Sequence, residues 1–483
     1  MAGTGELVQT HRENSVRRTP ITTVRALPAF RDWKAGDKLS VDFVYAVRGC
    51  HPPSLTTMRV LCVLQFFPPD GAEGSARLHD FVRALVAHGH DVTVLTSTLS
   101  YQTGQPFARF RRKLLVREND SSGSKVIRLW SPPGYHKSTV TRGIGLLVFM
   151  AVALIFSLTL RRPDVVVASS PPPTVGVVAA LVARIWCVPF LYEIRDLWVD
   201  DAAALGLVRN RALLIVARRV ERWVERSAAT VVAVTPGIGA RLKRRVLFPD
   251  RVHVVPNGVD TELFNPTVHP MLLVSRLNVA NEFVVVCAGA VGFNNDPHTL
   301  IDAAATLRNH RHIVLLVVGD GNARAAAEQR AQQLGLTNLR FTGWIPRWQV
   351  PGLICAADAA VCIAVDNPLS HVAYANRAFE AMACGKPVLC LIDGSLREVI
   401  AGAGAGLFVP PGNGAALAAT ILVLAAMPKA DRTAMGQRGR DLVENQFERR
   451  HMTGRLMALL HATVSGPVQD ERTRPTAPDV TGH

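Results

Sequence analysis

An α/β protein built from two doubly wound domains is what this sequence predicts. Two features carry the prediction. From Met58 onward short apolar runs alternate with helical patterns, and after a break near 262–282 the same alternation starts again. Apolar runs separated by helices imply a parallel sheet covered on both faces. At 483 residues the chain is also too long for one ordinary core.

The first series opens abruptly at Met58-Arg-Val-Leu-Cys-Val-Leu, a buried-strand pattern. It predicts strands at 59–65, 91–96, 126–130, 164–168, 189–193 and 230–235, with helices between them, as at 75–88 and 174–186. The second series predicts strands at 283–288, 313–318, 339–342, 359–364, 387–391 and 406–408. Its helices fall at 297–309, 323–334, 347–356, 376–384 and 414–426. In sheets of this kind ligands bind beyond the carboxyl ends of the strands, so a cleft between the two domains is the natural site.

Residues 1–57 are polar, basic and aperiodic, which leaves two readings: a basic arm with little order, or a mis-assigned start with Met58 as the first residue. The first 40 residues lack the apolar core of a signal peptide. The tail after Gly466 is rich in Pro, Thr and charge and is expected to be disordered. Apolar residues make up 48% of the chain and charged residues 19%, enough for globular cores. The formal net charge of +16 favours an anionic partner, either a membrane surface or a phosphorylated substrate. Aromatics at 6% and the lack of a recognised motif argue against nucleic acid. The eight cysteines are scattered with no Cys-x-x-Cys pair, and Cys62, Cys287, Cys362 and Cys390 lie in strand-like runs. Buried free thiols and a reducing cytoplasm are expected.

The stretch 143–160 has no charge in 18 residues and is flanked by Arg142 and Arg161-Arg162. By length it just qualifies as a spanning helix. The alternatives are a helix that dips into a membrane surface and an ordinary buried helix. Strands on either side belong to one sheet, which a span would tear apart. Basic runs at 109–113, 209–226 and 241–245 accompany it, and 212–223 mixes an apolar stripe with arginines. Such a surface suits anionic lipid headgroups; the alternative is a solvated helix face.

Several strand ends carry residue types suited to chemistry. The turn after the first strand, residues 66–75, contains Gly71, Gly74 and Ser75 ahead of a helix. Glycines let a diphosphate or acceptor approach the backbone, and a helix N-terminus favours negative charge. Ser169 through Thr174 stops the fourth strand with prolines, and Thr174 is placed to cap the next helix. At 193–198, Glu193-Ile-Arg195-Asp196-Leu-Trp198 bunches charges at a strand end, which is costly unless they are paired or used. Asp196 suits an acceptor-side carboxylate that orients a hydroxyl and draws off its proton. Arg195 either holds an acceptor phosphate or pairs with Glu193 or Asp196. Pro256-Asn257-Gly258 reads as a turn. Gly289 and Gly292 follow the first strand of the second series, and Gly319 and Gly321 follow its second. Finally, 374–389 begins a helix near Asn376-Arg377, carries Glu380 within it, and ends at Gly385-Lys-Pro. Backbone N–H groups at such a helix start can face a diphosphate, while Glu380 can accept both ribose hydroxyls.

Together these segments resemble the family 4 glycosyltransferases, over roughly residues 58–462. The closer resemblance is to bacterial N-acetyl-fucosamine transferases of surface polysaccharide assembly, through Phe67-Pro-Pro69, Ser170-Pro-Pro172 and Glu193-x-Arg-Asp-Leu-Trp198. The resemblance implies the GT-B fold, an α/β arrangement of two Rossmann-like domains facing a cleft. It divides the chain into an extension (1–57), an acceptor-side domain (58–262), a nucleotide-sugar domain (263–445), a helix returning to the first domain (446–465) and a tail (466–483). It implies a retaining, metal-independent sugar transfer with no cofactor, from a UDP- or GDP-activated donor, most simply a UDP-sugar. The acceptor is then lipid-linked or a surface glycan at the cytoplasmic membrane face. Donor contacts fall to Glu380, Asn376, Gly289, Gly292, Gly319 and Gly321, with the nucleobase near Trp344-Ile345. Asp196, Arg195 and Arg377 take the catalytic roles. Two departures stand out. The first Glu of the wider family's Glu-x7-Glu pair falls on Val372, and the loop 293–298 holds no Arg or Lys. Arg377 then becomes the cation for the leaving diphosphate. An epimerase or hydrolase of the same fold, or a degenerate nucleotide-sugar-binding scaffold, is the alternative.

Overall fold

The computed structural model describes residues 57–69, 76–101, 103–204, 206, 208, 210–268, 281–292 and 295–465. The expectations for the extension, for Gly71, Gly74 and Ser75, for most of the join near 262–282 and for the tail lie outside the described residues.

The first lobe is an eight-stranded sheet in the order β3-β4-β2-β1-β5-β6-β7-β8. Its strands are β1 (Arg59–Val63), β2 (Asp91–Ser97), β3 (Leu115–Asn119), β4 (Lys125–Leu129), β5 (Val165–Ser170), β6 (Phe190–Ile194), β7 (Thr230–Ala233) and β8 (Val252–Val254). Helices α1 (Ala76–Ala87), α2 (Thr139–Ser157), α3 (Thr174–Trp186), α4 (Trp198–Ala204), α5 (Arg211–Ser227) and α6 (Pro236–Lys243) connect them. The pairings are parallel except β3 with β4. Strands such as β5, VVVASS, are buried throughout because helices cover both faces.

The second lobe is a parallel six-stranded sheet in the order β11-β10-β9-β12-β13-β14. Its strands are β9 (Phe283–Ala288), β10 (Ile313–Val318), β11 (Leu339–Gly343), β12 (Ala359–Ile363), β13 (Val388–Leu391) and β14 (Gly406–Phe408). Its helices are α7 (Pro297–Thr306), α8 (Arg324–Gln333), α9 (Val350–Ala356), α10 (Asn376–Ala383), α11 (Ser395–Ala403), α12 (Gly414–Ala426) and α13 (Lys429–Leu442). The last helix, α14 (Arg449–Ser465), crosses back: Met452, Leu456 and Leu460 join the core of β1, β2 and α1.

Local chemistry sets the helix starts. Ser138 caps α2 through Thr141 N–H, and Asn210 caps α5 through Ala212 and Leu213 N–H. Thr174 does not cap α3. It is the first residue of that helix, and the cap position is Pro173, which has no side-chain donor or acceptor to offer. The edge strand β3, LVREN, went unforeseen because its charged, half-exposed residues give no apolar run.

Helix α2 lies over the sheet, with Gly145, Leu146, Phe149, Ala153 and Ser157 buried. Its 19 residues are long and apolar enough to cross a membrane, and its inner side, through Phe149 and Ala153, packs into the core of this lobe. Its outer side exposes Val140, Ile144, Leu147 and Ile155. Basic run 241–245 is divided: Lys243 and Arg244 are exposed, while Arg241 and Arg245 make contacts within the protein. Arg245 pairs with Glu221 at 3.0 Å and Glu225 at 3.7 Å, and Arg241 donates to Pro368 O of the other lobe. Burial pushes the Glu225 carboxyl up to about 7, with Arg245 opposing. Among the described residues Cys62, Cys287, Cys362, Cys384 and Cys390 are buried free thiols.

Candidate active site in the interlobe cleft

The lobes touch through α6 and the segment before α10. Thr235 Oγ1 donates both toward the second lobe, at Val372 O (2.5 Å), and receives the α6 cap bond from Ile238 N–H. Gly237 faces Val372 so closely that an added Cβ would lie 2.7 Å from it. Position 372 is thus a partly buried packing contact between lobes, which suits Val.

Between the lobes lies a cavity of about 480 Å³. Arg195 and Asp196 line its first-lobe wall, and Tyr374, Asn376, Glu380 and Arg347 its second-lobe wall. An adjoining cavity of about 350 Å³ is lined by Asp196 again, now with Asn295 and Arg377. Asp196 therefore stands where the two spaces meet.

On the second lobe, α10 supplies three side chains in one turn and a half. Glu380 Oε1 accepts from Arg347 at 2.8 Å, a partner that the sequence reading missed. Arg347 also lies over the Phe264 ring. Asn376 Oδ1 accepts from Asn257 of the lobe junction at 3.4 Å. Arg377 donates to Asn295 Oδ1 at 2.5 Å, and its guanidinium lies beside Gly289. The cap residue Ala375 offers no side-chain acceptor to the first turn of α10; its backbone oxygen takes Ala378 N–H at 3.0 Å, and a helix start of this kind favours an anion.

The glycines divide into two kinds. Gly289 has φ +138°, and an added Cβ there would sit 3.7 Å from the Arg377 guanidinium; a Cβ on Gly292 would make ordinary contacts with Asn322 at 3.6 Å and Asn295 at 3.8 Å. Gly319 and Gly321 are required by the fold itself. A Cβ on Gly319 would lie 2.0 Å from Gly289 O, and one on Gly321 would lie 2.3 Å from Val291 O. They let two strand-end loops touch; none of the four glycines lines the two cleft cavities. Trp344 is an exposed surface side chain and Ile345 packs on the second-lobe core; neither lines the cleft cavities.

On the first lobe, Glu193 takes its ion pair from Arg77 rather than Arg195. Arg77 Nε lies 2.8 Å from Glu193 Oε1, and Ser169 Oγ donates to Oε2 at 2.6 Å. The other Arg77 donors go to Pro256 O and to Val255 O, the latter at 3.0 Å. Burial pushes the Glu193 carboxyl up, but Arg77, Arg195 and Ser169 outweigh it and hold the group below the usual range. Asp196 is open to the cleft, yet the walls of both lobes crowd it. That crowding pushes its carboxyl above the usual range, against the pull of Arg195. A carboxylate so raised is a stronger base. Arg77 and Gln65 were not singled out from sequence; an arginine in the first turn of α1 was the available signal for the first.

Family comparison agrees with this architecture. The glycosyl transferase 4-like domain model matches residues 74–258, and the glycosyl transferases group 1 model matches 275–442. Both lobes are glycosyltransferase family domains. Streptomyces kanamyceticus 2-deoxystreptamine glucosyltransferase is 29% identical over 50% of this chain and 62% of its own length. A Mycobacterium tuberculosis GDP-mannose-dependent α-(1-6)-phosphatidylinositol dimannoside mannosyltransferase is 28% identical over 45% of this chain and 55% of its own length. The chain thus spans part, a little over half, of these curated relatives. The crystal structure of Anabaena HepE with UDP and glucose shares the fold, with TM-score 0.63 at 19% identity, covering 84% of this chain and 100% of that one. The arrangement is GT-B, with the glycosyltransferase group 1 lobe carrying Glu380, Arg377 and Gly289.

Proposed function

We propose that the protein is a retaining glycosyltransferase. It moves a sugar from a nucleotide sugar, a UDP-sugar by preference, to a lipid-linked or cell-surface glycan acceptor. The observation that carries this reading is the meeting of Asp196, Arg377 and Glu380 at one cleft between two glycosyltransferase family lobes. Glu380 accepts the ribose hydroxyls. Arg377 and the start of α10 face the diphosphate and take up the charge that develops as the sugar C1–O bond breaks. The acceptor oxygen attacks C1 on the face from which the diphosphate leaves with the bonding electrons. Asp196 orients the acceptor hydroxyl and receives its proton. Retention then needs no covalent enzyme intermediate, and no metal is required for charge that Arg377 neutralises. UDP as the nucleotide draws support from HepE, whose structure holds it; the mannosyltransferase relative uses GDP-mannose. The nearer likeness to N-acetyl-fucosamine transferases rests on the motifs at 67–69, 170–172 and 193–198.

We infer a peripheral seat on the cytoplasmic membrane face. Helices α2, α3 and α5 lie side by side on one face of the first sheet. They expose Ile144, Leu147, Ile155, Ile185, Leu213 and Trp223 among exposed arginines such as Arg184, Arg219 and Arg222. An apolar surface set with cations fits anionic headgroups, each cation near the surface contributing roughly 1 kcal/mol.

The test is nucleotide release by the full chain from a panel of UDP- and GDP-sugars, with and without membrane lipid extract. Release that needs one donor and the extract is the expected result. Release without extract points to an epimerase or hydrolase, and donor binding without release points to a degenerate scaffold.

A further inference from the structure

Gln65 follows β1 and is 2% exposed, yet neither its Oε1 nor its Nε2 has a hydrogen-bond partner among the described residues. Its backbone is fixed: Gln65 O accepts from Ser97 N–H at 3.2 Å and Ser97 Oγ at 2.7 Å. The side chain borders the 480 Å³ cavity that also holds Asp196 and Glu380. A buried amide left without partners is unfavourable. A partner supplied from the cavity removes that penalty.

The neighbouring wall is aromatic. Phe66, Tyr101 and Phe107 line the same cavity. Phe66 and Tyr101 meet edge to face at 5.3 Å, and Tyr135 supports Phe66 from behind at 5.2 Å. His136 Nε2 bonds Tyr101 O at 2.6 Å, which holds this loop in place. The Tyr101 ring itself is 60% exposed at the mouth. Beside Asp196 and Arg195 this side of the cavity carries Arg77 and Arg449; Arg77 has its donors committed to Glu193 and the carbonyls of Val255 and Pro256, and Arg449 pairs with Asp80 at 3.5 Å and Asp260 at 3.9 Å.

We propose that this wall is an acceptor subsite for a pyranose ring, with Gln65 holding adjacent hydroxyls and Phe66 and Tyr101 covering the apolar C–H face of the sugar. An amide offers one acceptor and two donors, and vicinal hydroxyls both donate and accept. A flat aromatic ring matches the face of a pyranose that carries only C–H groups. The proposal rests on the glycosyltransferase reading and narrows it: the group nearest the reacting hydroxyl of the acceptor is a sugar rather than a bare lipid phosphate.

The experiment is saturation-transfer NMR on the full chain with saturating UDP, using a panel of methyl pyranosides and, separately, glycerol 3-phosphate. At least one methyl pyranoside should show transfer concentrated on the C–H protons of one ring face. Tyr101→Ala and Gln65→Leu should each weaken that binding about fivefold or more, with UDP affinity unchanged. Tyr101→Ala alters an exposed side chain, so it reads the subsite even where Gln65→Leu fails to fold. Binding of glycerol 3-phosphate alone, or pyranoside binding that Tyr101→Ala leaves intact, overturns the proposal. So does UDP binding with no pyranoside bound, which leaves the donor reading standing. Loss of all nucleotide binding sinks the donor reading instead, while the pyranoside signal still reports on the subsite.

Discussion

The two walls of the cleft are built in opposite ways. On the second lobe, one eight-residue helix carries Asn376, Arg377 and Glu380, and a single nearby loop supplies Arg347. On the first lobe, the wall is gathered from the ends of β1, β2 and β6, and its central ion pair joins Arg77 to Glu193 across 116 residues of sequence. The second-lobe wall, the donor wall of the proposed function, thus depends on local helix geometry. The first-lobe wall, its acceptor wall, depends on a buried charge network that also reaches the lobe junction through Val255 and Pro256. First-lobe substitutions should act first on stability, and second-lobe substitutions first on binding.

The largest expected effect tests that contrast at Arg77. Arg77→Ala leaves the Glu193 carboxylate buried without its main cation, and removing one partner of a buried pair costs about 3–5 kcal/mol. Chemical denaturation at pH 7 measures it. Acid sharpens the result. In the wild type the Glu193 pKa is held below its ordinary value of 4.5. Its contribution is therefore fully present above that value and is lost as pH falls through the lowered folded pKa. Without Arg77, burial dominates and the folded pKa rises above the unfolded one. Stability should then increase as pH falls toward 4.5, narrowing the gap between variant and wild type. A gap that is flat with pH would show that Glu193 does not carry the effect.

The glycines of the donor lobe separate fold from binding. Gly319→Ala puts a Cβ 2.0 Å from Gly289 O at φ +140°, which should cost about 2–4 kcal/mol of stability. Gly292→Ala meets nothing nearer than 3.6 Å and should change stability by less than about 0.5 kcal/mol. Its methyl group stands at the strand end where a diphosphate would approach, so nucleotide affinity should fall while the melting temperature holds. Equal melting temperatures for the two variants would break the division.

The same contrast governs what was legible beforehand. Continuous apolar strands such as β5 and β10 declare themselves by composition, and so does the donor helix, because its site residues lie within five positions of each other. Edge strand β3 does not, since an exposed edge needs no apolar run. Arg77, Arg245 and Gln65 could not be read from sequence either. An arginine that neutralises a buried glutamate looks the same in a sequence as one on the surface, and only the fold brings Arg245 to Glu221 and Glu225. Gly319 and Gly321 carry a second requirement that the sequence does not show: close backbone packing between two strand-end loops also demands glycine there.

The smallest expected effect is the most specific to the donor wall. Glu380→Gln keeps the shape of the side chain and removes its charge. Hydrogen bonds to a charged group contribute about 1.5–3 kcal/mol, so the UDP dissociation constant should rise roughly ten- to hundredfold. Calorimetric titration measures it. Arg347 complicates the reading, because Glu380 already accepts from it at 2.8 Å, and the substitution weakens that pair too. A ribose probe separates the two roles. If Glu380 holds the ribose hydroxyls, the wild type should prefer UDP to its 2′,3′-dideoxy analogue and the variant should bind both alike. If Glu380 only positions Arg347, the preference should survive in Glu380→Gln and the loss should be matched by Arg347→Ala. The second pattern would move the donor wall into the class of the acceptor wall, where a charge pair supports the site without touching the ligand.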